Sequence, residues 1–311
     1  MFAATARRLP RTRVSRKFQA DLLLAACALI WGATFVVVKE ALSDASVFVF
    51  LSLRFVLAAA VLALMQRREW RKLDAGGLRA GALIGCLLFT GFVFQTAGLR
   101  LTTPSKSAFI TGFLVVLVPL FQGVFGRKHI PAWIWAGVFT AFAGLYFLTI
   151  PASGFSDLNT GDVLTLFCAV LYAVHIIVNG HYAARYSIGT LVFLQVAVTA
   201  VLSVAAVPGF ALAGWEAPRL SWTPALVWGV LGTGLLATVG TLSVQTWAQR
   251  YAAPSHVALL LTLEPVFAGL TSFVFVGERL GGRALAGAAL ILAGILVAEL
   301  KGGAPAAAEP A

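Results

Sequence analysis

Glu264 is an ionisable residue inside a long apolar run, and Pro265 follows it directly. A carboxyl group in the middle of such a run is costly to bury in a membrane, so it indicates by default a solute pathway or a proton relay. Pro265 also leaves a backbone carbonyl one turn upstream without its helical partner, so polar groups gather there. We interpret Glu264 as a candidate for proton coupling. The alternative is that backbone or hydroxyl groups cap it and that it only braces a broken helix.

Tyr172, His175 and Asn179 have the spacing of one helical face. In a bilayer a polar face must point into the protein, so all three are candidates for solute binding. Histidine titrates near neutral pH, which makes His175 a second candidate for proton coupling; the alternative is that helix–helix hydrogen bonds satisfy it. Trp31 and Thr34 hold the equivalent face of an earlier apolar run. Trp31 and Tyr172 are expected to form aromatic walls of a cavity, unless they take part only in ordinary packing.

Two further candidates come from a stretch that occurs twice. QTAGLRLTTPSKSAFITGFLVVLVP at 95–119 recurs as QTWAQRYAAPSHVALLLTLEP at 245–265, and six positions agree at one offset of 150 residues. Gln95 and Gln245 match each other in this alignment. Each ends an apolar run and can bridge to the helix that follows, either as a solute contact or as a structural brace.

Phe109 and His256 complete the predicted solute-binding set. His256 occupies the first turn of a helix, where the positive helix end can meet an anionic group of a solute. Lys106 holds the matching position in the first copy and is expected to extend to the membrane interface. We interpret Lys39 as an interfacial anchor, and Arg54 as part of a structural ion pair or a lipid-headgroup contact.

The composition excludes a soluble globular domain. The chain has 311 residues, of which 60% are hydrophobic and 11% charged, whereas a soluble domain is about half apolar and about a quarter charged. The apolar residues form long runs, as in bilayer-spanning helices. The net charge of +11 comes largely from basic residues in the loops between these runs. That pattern sets membrane orientation and does not indicate nucleic-acid binding.

The apolar runs predict an all-α integral membrane protein with ten transmembrane helices, each about 20 residues long. A basic cytoplasmic tail at 1–20 and a disordered tail at 301–311 would flank two halves, 21–150 and 161–300. The predicted spans are 21–41, 46–65, 78–98, 102–125, 132–150, 161–182, 187–207, 224–247, 254–276 and 282–300.

The duplication extends over the whole chain, so that spans one to five correspond to spans six to ten. Because five is odd, the second copy must enter the membrane from the opposite side. Lys and Arg predominate on the side that places both termini in the cytoplasm. Inverted repeats of this kind predict a secondary transporter with a central cavity near the membrane midplane, between the halves. The additional matches are Asp21 with Asp162, Cys27 with Cys168, and residues 53–55 with 194–196.

These motifs together resemble the drug/metabolite transporter superfamily, specifically its EamA-type members with two five-helix repeats. The resemblance rests on WGATFVVVKEA at 31–41, GFVFQTAGLRLTTPSKSAFITGFLVVLVPL at 91–120 and APSHVALLLTLEPVFAGLTSFVFVGERL at 253–280. It implies movement of small organic solutes, often outward, across a bacterial inner membrane. One departure is that the second copy has AAPSHVA where the first has TTPSKSA, so any solute contacts at these positions would differ between the halves.

The prediction is therefore a secondary transporter that exports small organic metabolites, with amino acids, and among them aromatic ones, as the expected solutes. Uptake of a vitamin or nucleoside-like solute and multidrug efflux remain alternatives. An intramembrane enzyme or a sensor is disfavoured, because the sequence contains neither ionisable residues clustered at one interface nor a soluble signalling domain. No cofactor, metal or nucleic acid is expected. The expected partners are a small-molecule solute and the lipid bilayer, with monomer and homodimer both left open.

Overall fold

The computed structural model describes residues 15–67, 74–150, 159–276 and 281–301, and these are almost entirely helical. Most of the predicted basic tail, and the predicted disordered tail beyond residue 301, lie outside the described residues. The helices are α1 (Arg16–Asp44), α2 (Val47–Gln66), α3 (Ala75–Leu101), α4 (Pro104–Gly112), α5 (Leu114–Val124), α6 (Ala132–Thr149), α7 (Thr160–Ala183), α8 (Ile188–Leu212), α9 (Pro224–Leu231), α10 (Thr241–Ala248), α11 (Pro254–Leu261), α12 (Leu263–Val276) and α13 (Gly282–Lys301), with a π-helical stretch, Gly232–Gly240, called the π segment.

Side-chain caps and prolines fix where several of these helices begin. Asn159 and Asp162 bond reciprocally to each other's backbone N–H groups at the start of α7. This arrangement satisfies two of the N–H groups that a helix start leaves without partners. Proline occupies the first turn of α4, α9 and α11, where its missing N–H is not needed.

Two of the predicted spans are interrupted helices. Phe113 separates α4 from α5, and Thr262 separates α11 from α12. The backbone N–H of each bonds to a carbonyl three residues back, a tight turn that locally interrupts the α-helical pattern. Pro119 and Pro265 follow the breaks within about two turns, and neither can donate to the carbonyl four residues before it. The interruptions therefore lie in matching parts of the two copies.

Seven helical segments of the described residues are long and apolar enough to span a bilayer. Two shorter apolar helices, Ala132–Leu148 and Gly282–Ala298, accompany them. The expectation of an all-helical, multi-pass membrane protein is thereby confirmed. The seven segments are α1, α2, α3, Lys106–Val124, α7, α8 and Pro224–Ala248.

α1 and α7 run in opposite directions through the bundle. Lys39, near the end of α1, donates from Nζ to the carbonyl of Leu99 at the end of α3, at 2.8 Å. Gly98, also at the end of α3, packs against the backbone of Gly161 at the start of α7. The end of α1 and the start of α7 therefore lie at the same end of the bundle.

α6 and α13 pack against each other through glycines. A Cβ added to Gly137 would lie 2.6 Å from the carbonyl oxygen of Gly294, and one added to Gly144 would lie 2.6 Å from that of Gly287. Because residue numbers rise along α6 as they fall along α13, the two helices are antiparallel. Only glycine allows backbones to approach this closely in a membrane protein.

We expect Gly144→Ala to lower the thermal unfolding temperature of the purified protein in detergent. The new methyl group would lie within 2.7 Å of Gly287 O and Ile291 N, and overpacking of this kind typically costs about 1–3 kcal/mol. Gly209→Ala in α8 is the matched control, because nothing lies within 4 Å of its added Cβ. An unfolding temperature unchanged by Gly144→Ala would contradict the close contact of α6 with α13.

Candidate functional site

A cavity of about 80 Å³ lies between the helices of the two halves. A single water molecule needs roughly 10–15 Å³ of such space, so the cavity has room for several. Its wall combines apolar and aromatic side chains with a few amide, hydroxyl and charged groups. Seven of the predicted residues line it: Trp31, Thr34, Gln95, Tyr172, His175, Gln245 and Glu264.

The π segment leaves one backbone carbonyl without a backbone partner. The N–H of Thr241 bonds to Leu236 O, five residues back, and also to Thr238 O, whereas bonds in α10 reach four residues back. This change of register skips the carbonyl of Ala237. Trp31 Nε1 donates to that oxygen at 3.0 Å and Arg54 Nη2 at 3.2 Å. The irregular turn therefore positions two side chains of the first half.

Arg54 reaches the cavity wall from α2 and is only 4% exposed. Its Nε donates to Thr238 Oγ1 at 2.9 Å, and its guanidinium lies 4.5 Å from the ring centre of Phe92. The expectation of a lipid-headgroup contact is wrong, because the side chain is enclosed by protein. The expected ion pair is also not seen, since no carboxylate of the described residues lies within 4.0 Å of the guanidinium.

Glu264 belongs to the first turn of α12, directly after the break at Thr262, and faces the cavity. Its backbone carbonyl packs so closely against Gly32 of α1 that no Cβ would fit there. The described residues provide neither an ion pair nor a hydrogen bond to its carboxyl oxygens. The proposed cap is thus not seen, and the carboxyl group remains available to a solute or to water.

Three of the other predicted polar residues of the cavity, Gln95, Tyr172 and His175, form side-chain hydrogen bonds. Tyr172 Oη donates to Gln95 Oε1 at 3.2 Å. His175 Nε2 lies 3.0 Å from Oε1 of Gln195 on α8, while Gln195 Nε2 has no hydrogen-bond partner among the described residues. A helix–helix hydrogen bond therefore satisfies one nitrogen of His175 although the residue lines the cavity.

Phe109 and Asn179 lie outside the cavity wall. Phe109 is buried against Phe142 of α6, with ring centres 5.8 Å apart. Asn179 donates to Thr246 Oγ1 at 3.1 Å and also to Gln249, and is fully buried. It shares a helical face with Tyr172 and His175 but does not line the cavity, and its amide bonds instead to residues of the α10 region.

His256 also lies outside the cavity wall, and its contact with Asp21 matches the contact of Lys106 with Asp162 in the repeat. Its Nε2 lies 2.9 Å from Asp21 Oδ1, and Lys106 Nζ lies 3.5 Å from Asp162 Oδ2. Asp21 lies in the second turn of α1, and Asp162 lies at the start of α7. Lys39, at the same end of the bundle as the start of α7, follows Asp21 by about 27 Å along α1, so the two pairs lie toward opposite ends of the bundle.

Sequence reasoning missed Arg54 as part of the cavity wall, and it missed the π segment that holds Arg54 in place. One available signal was the alignment of Arg54 with Gln195, which places a polar residue in the middle of the second span of each copy. Across the described ranges, no three His, Cys, Asp or Glu side chains could hold a metal ion together. The cavity therefore offers charge, hydrogen bonds and aromatic surface to a small solute.

Comparison with known proteins agrees with this architecture. The model of the EamA-like transporter family matches the chain twice, over residues 18–150 and 159–300. This chain belongs to the EamA-like transporter family. The resemblance found in its motifs is thus confirmed, and family membership indicates a transporter rather than an enzyme.

Relatives of this EamA-like transporter cover nearly its full length. An uncharacterized transporter of Archaeoglobus fulgidus is 35% identical over 291 residues, 92% of this chain and 87% of the relative. The uncharacterized transporter YoaV of Bacillus subtilis is 24% identical over 282 residues, 86% of this chain and 92% of the relative. A solved crystal structure with 20% identity has a TM-score of 0.74 and covers 91% of this chain and 96% of its own. That likeness supports the fold alone.

We expect Thr238→Val to lower the thermal unfolding temperature in detergent. The variant removes the acceptor of Arg54 Nε in a buried site, and an unsatisfied buried donor costs about 1–3 kcal/mol. Thr140→Val is the matched control, because its hydroxyl bonds only to Ala136 O of its own helix at the protein surface. Equal unfolding temperatures for Thr238→Val and Thr140→Val would contradict a role of the π segment in holding Arg54.

Proposed function

We propose that this EamA-like transporter is a secondary transporter with ten transmembrane helices, which exports small organic metabolites, amino acids foremost, by alternating access. The observation that carries the proposal is the cavity between the two copies of the repeat. It holds a carboxyl group, that of Glu264, for which the described residues provide no ion-pair partner. An ionisable residue in such a position is by default part of a solute or ion pathway.

Several contacts support an inverted arrangement of the two copies. α1 and α7 are equivalent in the repeat and run in opposite directions. The matching pairs Asp21–His256 and Asp162–Lys106 lie toward opposite ends of the bundle. The equivalent helices α6 and α13 cross antiparallel. Inverted repeats of this kind allow the two halves to exchange conformations about a fixed central site.

The cavity wall favours amino acids with an apolar or aromatic side chain. Aromatic rings provide apolar surface, while the amides of Gln95 and Gln245 can orient polar groups. Such a combination of apolar wall and few polar groups is typical of small-molecule sites. The rings come from Trp31, Phe35, Phe92 and Tyr172.

The proposed location is a bacterial inner membrane, with both termini in the cytoplasm.

Glu264 is the proposed proton-coupling residue. A carboxyl group can carry a proton when one side of the membrane is open and release it when the other is open. His175 is a weaker candidate, because Gln195 already occupies its Nε2.

We expect proteoliposomes that contain the purified protein to catalyse counterflow of labelled amino acids, with aromatic amino acids among the better solutes. Counterflow needs only an alternating site, so it does not depend on the coupling ion. Liposomes without protein are the control. Absence of counterflow for all twenty standard amino acids would exclude amino acids as the solutes.

We expect Glu264→Gln to retain counterflow but to lose accumulation driven by a pH gradient. The amide preserves the shape of the side chain and cannot carry a proton. Glu40→Gln is the matched control, because Glu40 is exposed near the end of α1 and outside the cavity wall. A pH-gradient response of Glu264→Gln equal to that of wild type would remove Glu264 as the coupling group.

A further inference from the structure

Arg54 is a buried cation in the cavity wall, and no carboxylate of the described residues lies within 4.0 Å of it. Its Nε and Nη2 are held by the π segment, through Thr238 Oγ1 and Ala237 O. Its third nitrogen, Nη1, has no hydrogen-bond partner among the described residues. Two of the three nitrogens thus fix the side chain in place, and one is left with its donors unused.

The neighbours of Arg54 disperse its charge but do not neutralise it. The rings of Phe92 and Phe55 lie 4.5 and 5.4 Å from the guanidinium carbon, within the range of cation–π attraction. The carboxyl of Glu264 lines the same cavity from α12 but is not within 4.0 Å of any basic nitrogen of the described residues. A buried charge without a partner is costly, so an anionic group in the cavity would be bound strongly.

We propose that Arg54 binds the carboxylate of the transported solute and makes that carboxylate a requirement for binding. The inference rests on the proposed function and names the solute group that this site recognises. Arginine suits this role, because its planar guanidinium matches the geometry of a carboxylate. Glu264, on a different part of the wall, is then free to carry a proton.

The second copy of the repeat differs at this position, which assigns the carboxylate to the first half. Gln195 aligns with Arg54 but is neutral, and its Oε1 is engaged by His175 at 3.0 Å. The cavity therefore receives its guanidinium from one half only. A solute with one carboxylate fits this arrangement, whereas a symmetric pair of anion sites would need Arg at both positions.

The first test uses wild-type protein in detergent and needs no variant. Stabilisation against heat is measured with each of the twenty standard amino acids, and the best ligand is then compared with its amide and with the amine that lacks its carboxyl group. We expect the amide and the amine to bind on the order of tenfold to a hundredfold more weakly, the usual range for a hydrogen bond to a charged group. Equal binding of the amine, or no binding of any amino acid, would overturn the proposal.

The second test assigns the requirement to Arg54. Arg54→Gln copies the residue of the second repeat, and we expect it to bind the amino acid on the order of tenfold to a hundredfold more weakly while binding the amine as wild type does. Arg54→Lys keeps the positive charge but lacks the planar guanidinium group. We expect this variant to lose less affinity for the amino acid than Arg54→Gln does. Equal losses for the amino acid and the amine in Arg54→Gln would indicate a structural role and overturn the proposal. The proposal would also be overturned if chloride or phosphate stabilised the wild-type protein as strongly as the amino acid does.

The outcome for transport is separate from the outcome for recognition. If binding depends on the carboxylate and Arg54→Gln weakens it as expected, this inference is supported even when proteoliposomes show no counterflow. In that case only the proposed transport function fails. Counterflow of amino acids and of their amines at equal rates has the opposite meaning. The proposed transport function would then be supported, and recognition of the carboxylate by Arg54 would be refuted.

Discussion

One backbone carbonyl of the second half, that of Ala237, accepts hydrogen bonds from two cavity side chains of the first half. Within the hydrocarbon core no water is available, so a carbonyl without a partner costs several kcal/mol and a helix that changes register must find a donor elsewhere. Here the donors are the indole of Trp31 and the guanidinium of Arg54. One irregular turn in the second half therefore fixes two cavity side chains that the first half supplies.

The same requirement governs the ends of the helices. The last carbonyls of a helix have no intrahelical donor, and long cationic side chains from neighbouring elements supply one. Lys39 donates to carbonyls at the end of α3, and Arg250 donates to carbonyls at the end of α7. The accepting carbonyls belong to Leu99, Arg100 and Thr102 for Lys39, and to Ala183 and Tyr186 for Arg250.

The helices and much of the cavity wall could be predicted from the sequence, because apolar runs and one-face spacing are local properties. Tyr172 and His175 line the cavity as their spacing suggested, whereas Asn179 on the same face does not. How far a cavity extends along a helix depends on the side chains that neighbouring helices place beside it. At Asn179 that side chain is Gln249, which accepts a hydrogen bond from the Asn179 amide. The π segment could not be predicted for a similar reason, since its unpaired carbonyl is acceptable only where donors from α1 and α2 meet it.

The two copies share much of the frame and also Gln95 and Gln245 of the cavity wall, but they differ in charge at one position of that wall. Glycines of α6 and α13 and the paired aspartates near the helix starts are shared, while Arg54 is matched by the neutral Gln195. A protein that alternates between two open states needs two halves able to adopt each other's conformation, so the frame must be duplicated. A solute has no such symmetry, and the residues that contact it are free to diverge. If Arg54 binds the solute carboxylate as proposed, the first half holds the charged end of the solute.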